Sequence, residues 1–254
     1  MPAYVETENV ETEKRWGRYV STLAGMAALA VSLSAPLQAL LDEFAKQAPP
    51  QQTAQVMEAI TASPSLAAEL SALAADGLLK GFGIDTAGRL NKFEAGVREG
   101  KILFTPTFLG DVASTRPFDV VEADSIRPNN TTFVLGHLAA HTKIPSPEPR
   151  APDGTARDLP TFIMLKMTDE ATADLQGWND MVEAAQVANG GKALTVPQVG
   201  YLMMSLRYRA VFFNAMRSQD RKITFAPDGR IDPTPENILA LGAALTKTNV
   251  FDFD

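Results

Sequence analysis

A single short stretch of the chain, TTFVLGHLAAHTK over residues 131–143, contains both of its histidines, His137 and His141. Residues four positions apart lie one above the other on the same face of an α-helix. Two neutral imidazoles in that arrangement can bind one zinc ion at about 2.0–2.1 Å. Because the chain has no cysteine, any further protein ligand must be a carboxylate. A fold that uses this pair needs a helix here and an acidic residue brought to it from elsewhere.

Glu170 is the best candidate for that third ligand. It follows the proline-rich segment 143–160, and the sequence Thr168-Asp169-Glu170 predicts the start of a new helix. Asp174 lies one helical turn beyond Glu170 and is expected either to bind the metal or to orient a histidine. An acidic residue in a first helical turn also stabilises its helix through the dipole, so a purely structural role for Glu170 stays open.

The stretches FVLGHLAAH and DEATADLQGWND resemble the zincin-like metallopeptidase domains of bacterial effector and toxin proteins. Such domains have an H-E-x-x-H helix, a third glutamate on a later helix, and a strand that edges a small sheet and lines the cleft. The resemblance implies zinc held by His137, His141 and Glu170, and an edge strand over residues 101–105. It places Leu138 where the general base belongs.

That substitution separates metal binding from catalysis. Leucine cannot accept a proton, and the loss of a general base typically costs a factor of about 10²–10⁴ in rate. Metal binding needs only the three ligands, so it can survive without the base. Asp169 and Asp174 are conceivable substitutes, although no sequence rule puts either of them beside the metal.

The periodicity of the chain predicts an α+β fold that is mostly helical, with a small sheet beside the histidine helix. We expect two regions, a helical N-terminal region over residues 1–83 and a zincin-like domain over residues 84–254. The histidine helix is expected to begin after a cap at residues 127–130. The other predicted elements are helices over 11–47 (broken near 34–36), 51–62, 63–79, 168–188, 196–217 and 235–246, a hairpin of 90–97 with 101–105, and a strand over 161–167.

Charge and hydropathy restrict the partners and the location. The net charge of -7 and the pI near 5.0 argue against nucleic acid or an anionic membrane surface as a partner. The apolar segment 23–41 is interrupted by two serines and Pro36, which makes it a poor membrane span. Its long acidic preceding region disfavours a cleaved signal peptide. We expect a cytoplasmic protein or one delivered by a specialised secretion system.

Three functions follow from these observations. The leading hypothesis is a zincin-like binding protein of a bacterial effector or toxin–immunity system, catalytically impaired or inactive, which holds a protein, a peptide or a cell-wall-like ligand in its cleft. The second is an active zinc-dependent hydrolase, a peptidase or a cell-wall amidase, that uses another base. The third is a helical interaction protein without a metal.

Overall fold

The α+β prediction is confirmed by a computed structural model, which describes residues 32–90, 95–110, 131–144, 146–206, 209–220 and 222–248. These residues are mostly helical and include a three-stranded mixed sheet. None of their helices is long and apolar enough to cross a membrane. The helices are α1 Ala35–Ala45, α2 Pro50–Ala62, α3 Pro64–Ala75, α4 Pro106–Gly110, α5 Thr131–Lys143, α6 Leu159–Ala188, α7 Val196–Met204, α8 Arg209–Arg217 and α9 Pro235–Lys247, and the strands are β1 Gly81–Ile84, β2 Ala95–Arg98 and β3 Lys101–Phe104.

Some sequence predictions fall wholly or partly outside the described residues. These are the helix over residues 11–31, residues 23–31 of the apolar segment, residues 91–94 of the predicted hairpin strand, and the cap at 127–130. The boundary between residues 83 and 84 stays a prediction.

Prolines lie in the first turns of the first three helices, and serine side chains cap two of them. The Ser34 hydroxyl accepts a hydrogen bond from the Leu37 amide at the start of α1, and the Ser63 hydroxyl accepts one from the Leu66 amide at the start of α3. Each helix has a proline in its first turn, where the missing N–H costs nothing. The predicted cap at Ser63 is therefore confirmed, and α1 begins at residue 35, within the predicted break at 34–36.

The sheet differs from the prediction in the position of one strand. The hairpin of β2 and β3 is confirmed, but β3 also pairs in parallel with β1, so the strand order is β1-β3-β2. The expectation that residues 101–105 form an edge strand is wrong, because β3 is central. The sequence GFGI of β1 conceals the strand, since glycine at two of its four positions removes the apolar alternation. Phe82 anchors β1 by packing its ring against Phe44 of α1.

The helix that carries Glu170 begins earlier than predicted. The strand predicted over 161–167 and the helix start at residue 168 are both wrong, because α6 is one helix of 30 residues. Asp158 caps it by accepting a hydrogen bond from the Thr161 amide at 2.9 Å. The apolar run after Pro160 fits a buried strand and a buried helix equally well, and the cap decides between them. Glu170 lies well inside α6, so a first-turn dipole role is excluded.

The main core surrounds Trp178 of α6. Its indole N–H donates to the Gly229 carbonyl at 2.9 Å, and its ring packs against Phe212 of α8. Trp178 is fully buried. The single helix predicted over 196–217 is wrong, since α7 ends at Met204 and α8 begins at Arg209.

Helices α5 and α6 approach each other with almost no space between their backbones. A Cβ atom on Gly136 would lie 3.0 Å from Gly177 Cα, and one on Gly177 would lie 2.4 Å from the Phe133 carbonyl oxygen. Glycine is therefore required on both sides of the crossing. Because Gly136 directly precedes His137, this contact fixes the distance between the histidines and the carboxylates of α6.

Candidate metal centre

Three predicted ligands converge at the crossing of α5 and α6. His137 Nε2 lies 3.1 Å from His141 Nε2, and Glu170 Oε2 lies 3.5 Å and 3.4 Å from these two nitrogens. Ligand atoms bound tetrahedrally at about 2.0–2.2 Å are separated from one another by roughly 3.3–3.6 Å. The observed triangle is close to that size, so the three side chains could hold one metal ion.

A carboxylate lies behind each imidazole ring. Asp174 Oδ1 is 2.9 Å from His137 Nδ1, and Asp169 Oδ2 is 3.4 Å from His141 Nδ1. The first pair is a hydrogen bond, whereas the second is an ion-pair contact without hydrogen-bond alignment. Ser146 holds Asp169 in place by donating its hydroxyl to the same carboxylate at 2.8 Å. A carboxylate behind a ligating histidine keeps the proton on the far nitrogen and increases the basicity of the near one.

This arrangement concentrates electron pairs at the centre of the triangle. If each Nδ1 keeps a proton towards its carboxylate, both Nε2 lone pairs point into the triangle, where Glu170 Oε2 adds negative charge. The 3.1 Å separation of the two Nε2 atoms then requires a proton or a metal ion between them. Such a set of acceptors is stable only around a positive charge, which a metal ion or a proton can supply.

The pKa values of the metal-free site reflect the same concentration of negative charge. Burial alone would lower the pKa of His141, but the carboxylates of Asp169 and Glu170 outweigh it and raise that pKa to about 9. Burial favours the neutral form of Glu170, yet His141 and His137 hold the pKa of this carboxyl below its usual value. Burial raises the pKa of Asp174, and its hydrogen bond to His137 opposes the rise.

The three side chains of the site are partly exposed, and the described residues around them include no free base. The side chains of His137, His141 and Glu170 are 19%, 13% and 19% exposed. Leu138 is a core residue at 5% exposure. The two carboxylates that were conceivable substitutes for the base, Asp169 and Asp174, are occupied by the histidines behind which they lie.

The sequence did not reveal that Asp169 supports His141. The sequence does contain a signal for this contact, because Asp169 is adjacent to the predicted ligand Glu170. In the structure the two carboxylates lie near the two ring nitrogens of His141. The erroneous helix start at residue 168 gave Asp169 a different explanation, as an acidic first-turn residue.

Comparison with known proteins gives no relative. No protein-family model, no curated protein and no solved structure matches the chain.

Asp174→Asn is expected to weaken zinc affinity about 10–100-fold, because an amide is a poorer partner for the His137 Nδ1–H than a carboxylate. Competition with a chromophoric chelator measures the affinity. Asp76→Asn, at an exposed position at the end of α3, is the matched control and should change nothing. Equal affinity in Asp174→Asn and wild type would exclude the orienting role.

Proposed function

We propose that this chain is a zincin-like binding protein, derived from a metallopeptidase, that holds a zinc ion at His137, His141 and Glu170. The observation that carries the proposal is the triangle of ligand atoms, with edges of 3.1–3.5 Å and a carboxylate behind each histidine. Two imidazoles and one carboxylate suit zinc, and three protein ligands leave a coordination position open. A zinc ion bound there would offer that position to an atom of a partner.

Binding is favoured over catalysis by the residues around the triangle. Leu138 cannot accept a proton, and Asp169 and Asp174 already serve the two histidines. The rival hypothesis of an active hydrolase needs a base that the described residues do not supply. A metal-free interaction protein would need neither the three converging ligands nor the two carboxylates that support the histidines.

The ligand that we propose is a protein, a peptide or a cell-wall-like molecule placed in a peptidase-shaped cleft. The setting that we propose is a bacterial effector or toxin–immunity system, in the cytoplasm or after delivery by a specialised secretion system. Ligand binding should require both the metal and His137, so a chelator and His137→Ala should abolish it equally.

The catalytic part of the proposal is tested by restoring the missing base. Zinc-loaded wild type should hydrolyse denatured casein and peptidoglycan no faster than buffer. Leu138→Glu should gain metal-dependent hydrolysis, because the general base typically contributes a factor of about 10²–10⁴. Since Leu138 is buried, the folding of this variant is checked by circular dichroism.

The double variant His137→Ala/Leu138→Glu is the control for that gain, since it has the base without the full ligand set. Hydrolysis by the unmodified chain that is lost in His137→Ala would overturn the binding function. A folded, zinc-loaded Leu138→Glu without activity would argue against descent from a peptidase.

A further inference from the structure

A hollow of about 730 Å³ lies on one face of the sheet, and none of its lining residues belongs to the metal centre. Gly81 and Gly83 of β1 form part of its floor, opposite their register partners Lys101 and Leu103 of β3. Alternate residues of a strand point to the same face, so these two glycines leave that face of β1 without side chains. The main chain of β1 is therefore part of the lining, beside the side chain of Leu103, which lies over Gly83.

The hollow has more positive than negative charge, in a chain whose net charge is -7. Its lining includes four cationic residues, Lys80, Arg89, Arg98 and Lys101, and two acidic residues, Glu43 and Glu99. The carboxylate of Glu43 is paired with Lys46 at 2.5 Å, so its charge is already balanced. Neither of the two lysines forms an ion pair with any described residue. An excess of positive charge therefore faces the hollow.

The cationic residues are held together by the fold. The Arg98 guanidinium donates to the Arg89 carbonyl at 2.7 Å, and Arg89 Nε lies 3.3 Å from the buried carboxylate of Asp85. The Lys80 amide donates to the Gly100 carbonyl at 2.8 Å, which ties the start of β1 to the turn before Lys101. Asp85 balances Arg89 as Lys46 balances Glu43, which leaves Lys80, Arg98 and Lys101 against Glu99. Bringing these three positive charges together costs free energy, which an anion between them would offset.

We propose that this hollow binds a small organic or inorganic polyanion through phosphate or carboxylate groups. Its volume lies within the range of small-molecule sites, about 300–1,000 Å³. At Gly81, where an added Cβ would meet nothing within 4 Å, an oxyanion could approach the backbone closely. Lysine and arginine side chains on the rim would provide charge-assisted hydrogen bonds to its oxygens. The site is independent of the metal centre and of the function proposed for it.

Calorimetric titration of the full-length, metal-free chain with inorganic pyrophosphate and with tricarballylate at low ionic strength tests the proposal. We expect at least one of them to bind, and binding to weaken as salt is added. Lys80→Ala/Lys101→Ala should lower the affinity about tenfold or more, because two charges next to the anion are lost. Lys192→Ala/Lys222→Ala removes the same charge from exposed positions outside the lining and should have no effect.

Amide NMR of the same samples locates the bound anion. The resonances of Gly81 and Gly83 should shift on titration, and His137→Ala should leave both the shifts and the affinity unchanged. Binding of only one probe supports the proposal and identifies the anion as a phosphate or a carboxylate. The proposal is overturned if neither probe binds, if the two double variants weaken binding equally, or if the two glycine amides do not move.

Discussion

Asp180→Asn is expected to raise the free energy of unfolding by about 3–5 kcal/mol at pH 8 and by almost nothing at pH 4. Asp180 lies on α6 at 5% exposure, and its Oδ2 has no hydrogen-bond partner among the described residues. Burial, reinforced by the negative charges of Glu69 and Glu183, raises the pKa of this carboxyl to about 8, and the positive charge of Arg230 does not compensate.

The sign of the effect follows from proton uptake on folding. The usual pKa of this side chain is 3.8, which applies to the unfolded chain. Between pH 4 and pH 8 the folded protein keeps a proton on Asp180 that the unfolded chain has released. The contribution of Asp180 to the free energy of unfolding of wild type is therefore fully present below the pKa of 3.8 in the unfolded chain. It is lost as the pH rises towards the pKa of about 8 in the folded protein. Asparagine has nearly the shape of the protonated acid and carries no such penalty.

Urea unfolding of wild type and Asp180→Asn from pH 4 to pH 9, with a chelator present, measures this difference. Other titrating groups are the same in both proteins and cancel. A difference that stays constant with pH, or a variant less stable than wild type at pH 8, would contradict the account.

Gly177→Ala is expected to lower the free energy of unfolding by about 2–3 kcal/mol, because the added Cβ would overlap the backbone of α5. That atom would lie 2.4 Å from the Phe133 carbonyl oxygen and 3.2 Å from the His137 amide nitrogen. Both contacts are with main chain, which cannot move aside as a flexible side chain does. The helices must separate, and the histidines then move away from Glu170 and Asp174. Zinc affinity should fall about tenfold or more as a result.

Gly200→Ala is the matched control, because Gly200 lies in α7 and an added Cβ there meets nothing within 4 Å. Alanine favours the helix over glycine by up to about 1 kcal/mol, so this variant should be as stable as wild type or more stable. Urea unfolding and chelator competition measure the two effects. A Gly177→Ala protein that equals Gly200→Ala in stability and in zinc affinity would exclude the close crossing.

The candidate site was predictable where the pattern is local. The spacing of His137 and His141 needs only a helix, and the same rule placed Asp174 on the face of Glu170. The predicted position of Glu170 at a helix start is wrong, since Glu170 lies within α6. Its four-residue spacing from Asp174 does not depend on where the helix begins, so the two carboxylates share a face in either case.

The features that the sequence did not predict depend on contacts between distant segments. Strand β1 exists because β3 pairs with it and Phe44 packs on it, and two glycines conceal it from a search for alternation. The need for glycine at positions 136 and 177 arises only when the two helices meet. The sequence around Asp158 does not by itself predict a helix cap, because the apolar run after it also fits a strand.

The zinc content of purified protein, reconstituted with zinc, dialysed and measured by plasma mass spectrometry, tests the central claim most directly. The chain has only two histidines, and both are proposed ligands. No further histidine can therefore replace the ligand that His137→Ala removes. Wild type should retain a single zinc ion per chain, and His137→Ala should retain almost none. Wild type with no more zinc than His137→Ala would contradict the proposal of a metal centre.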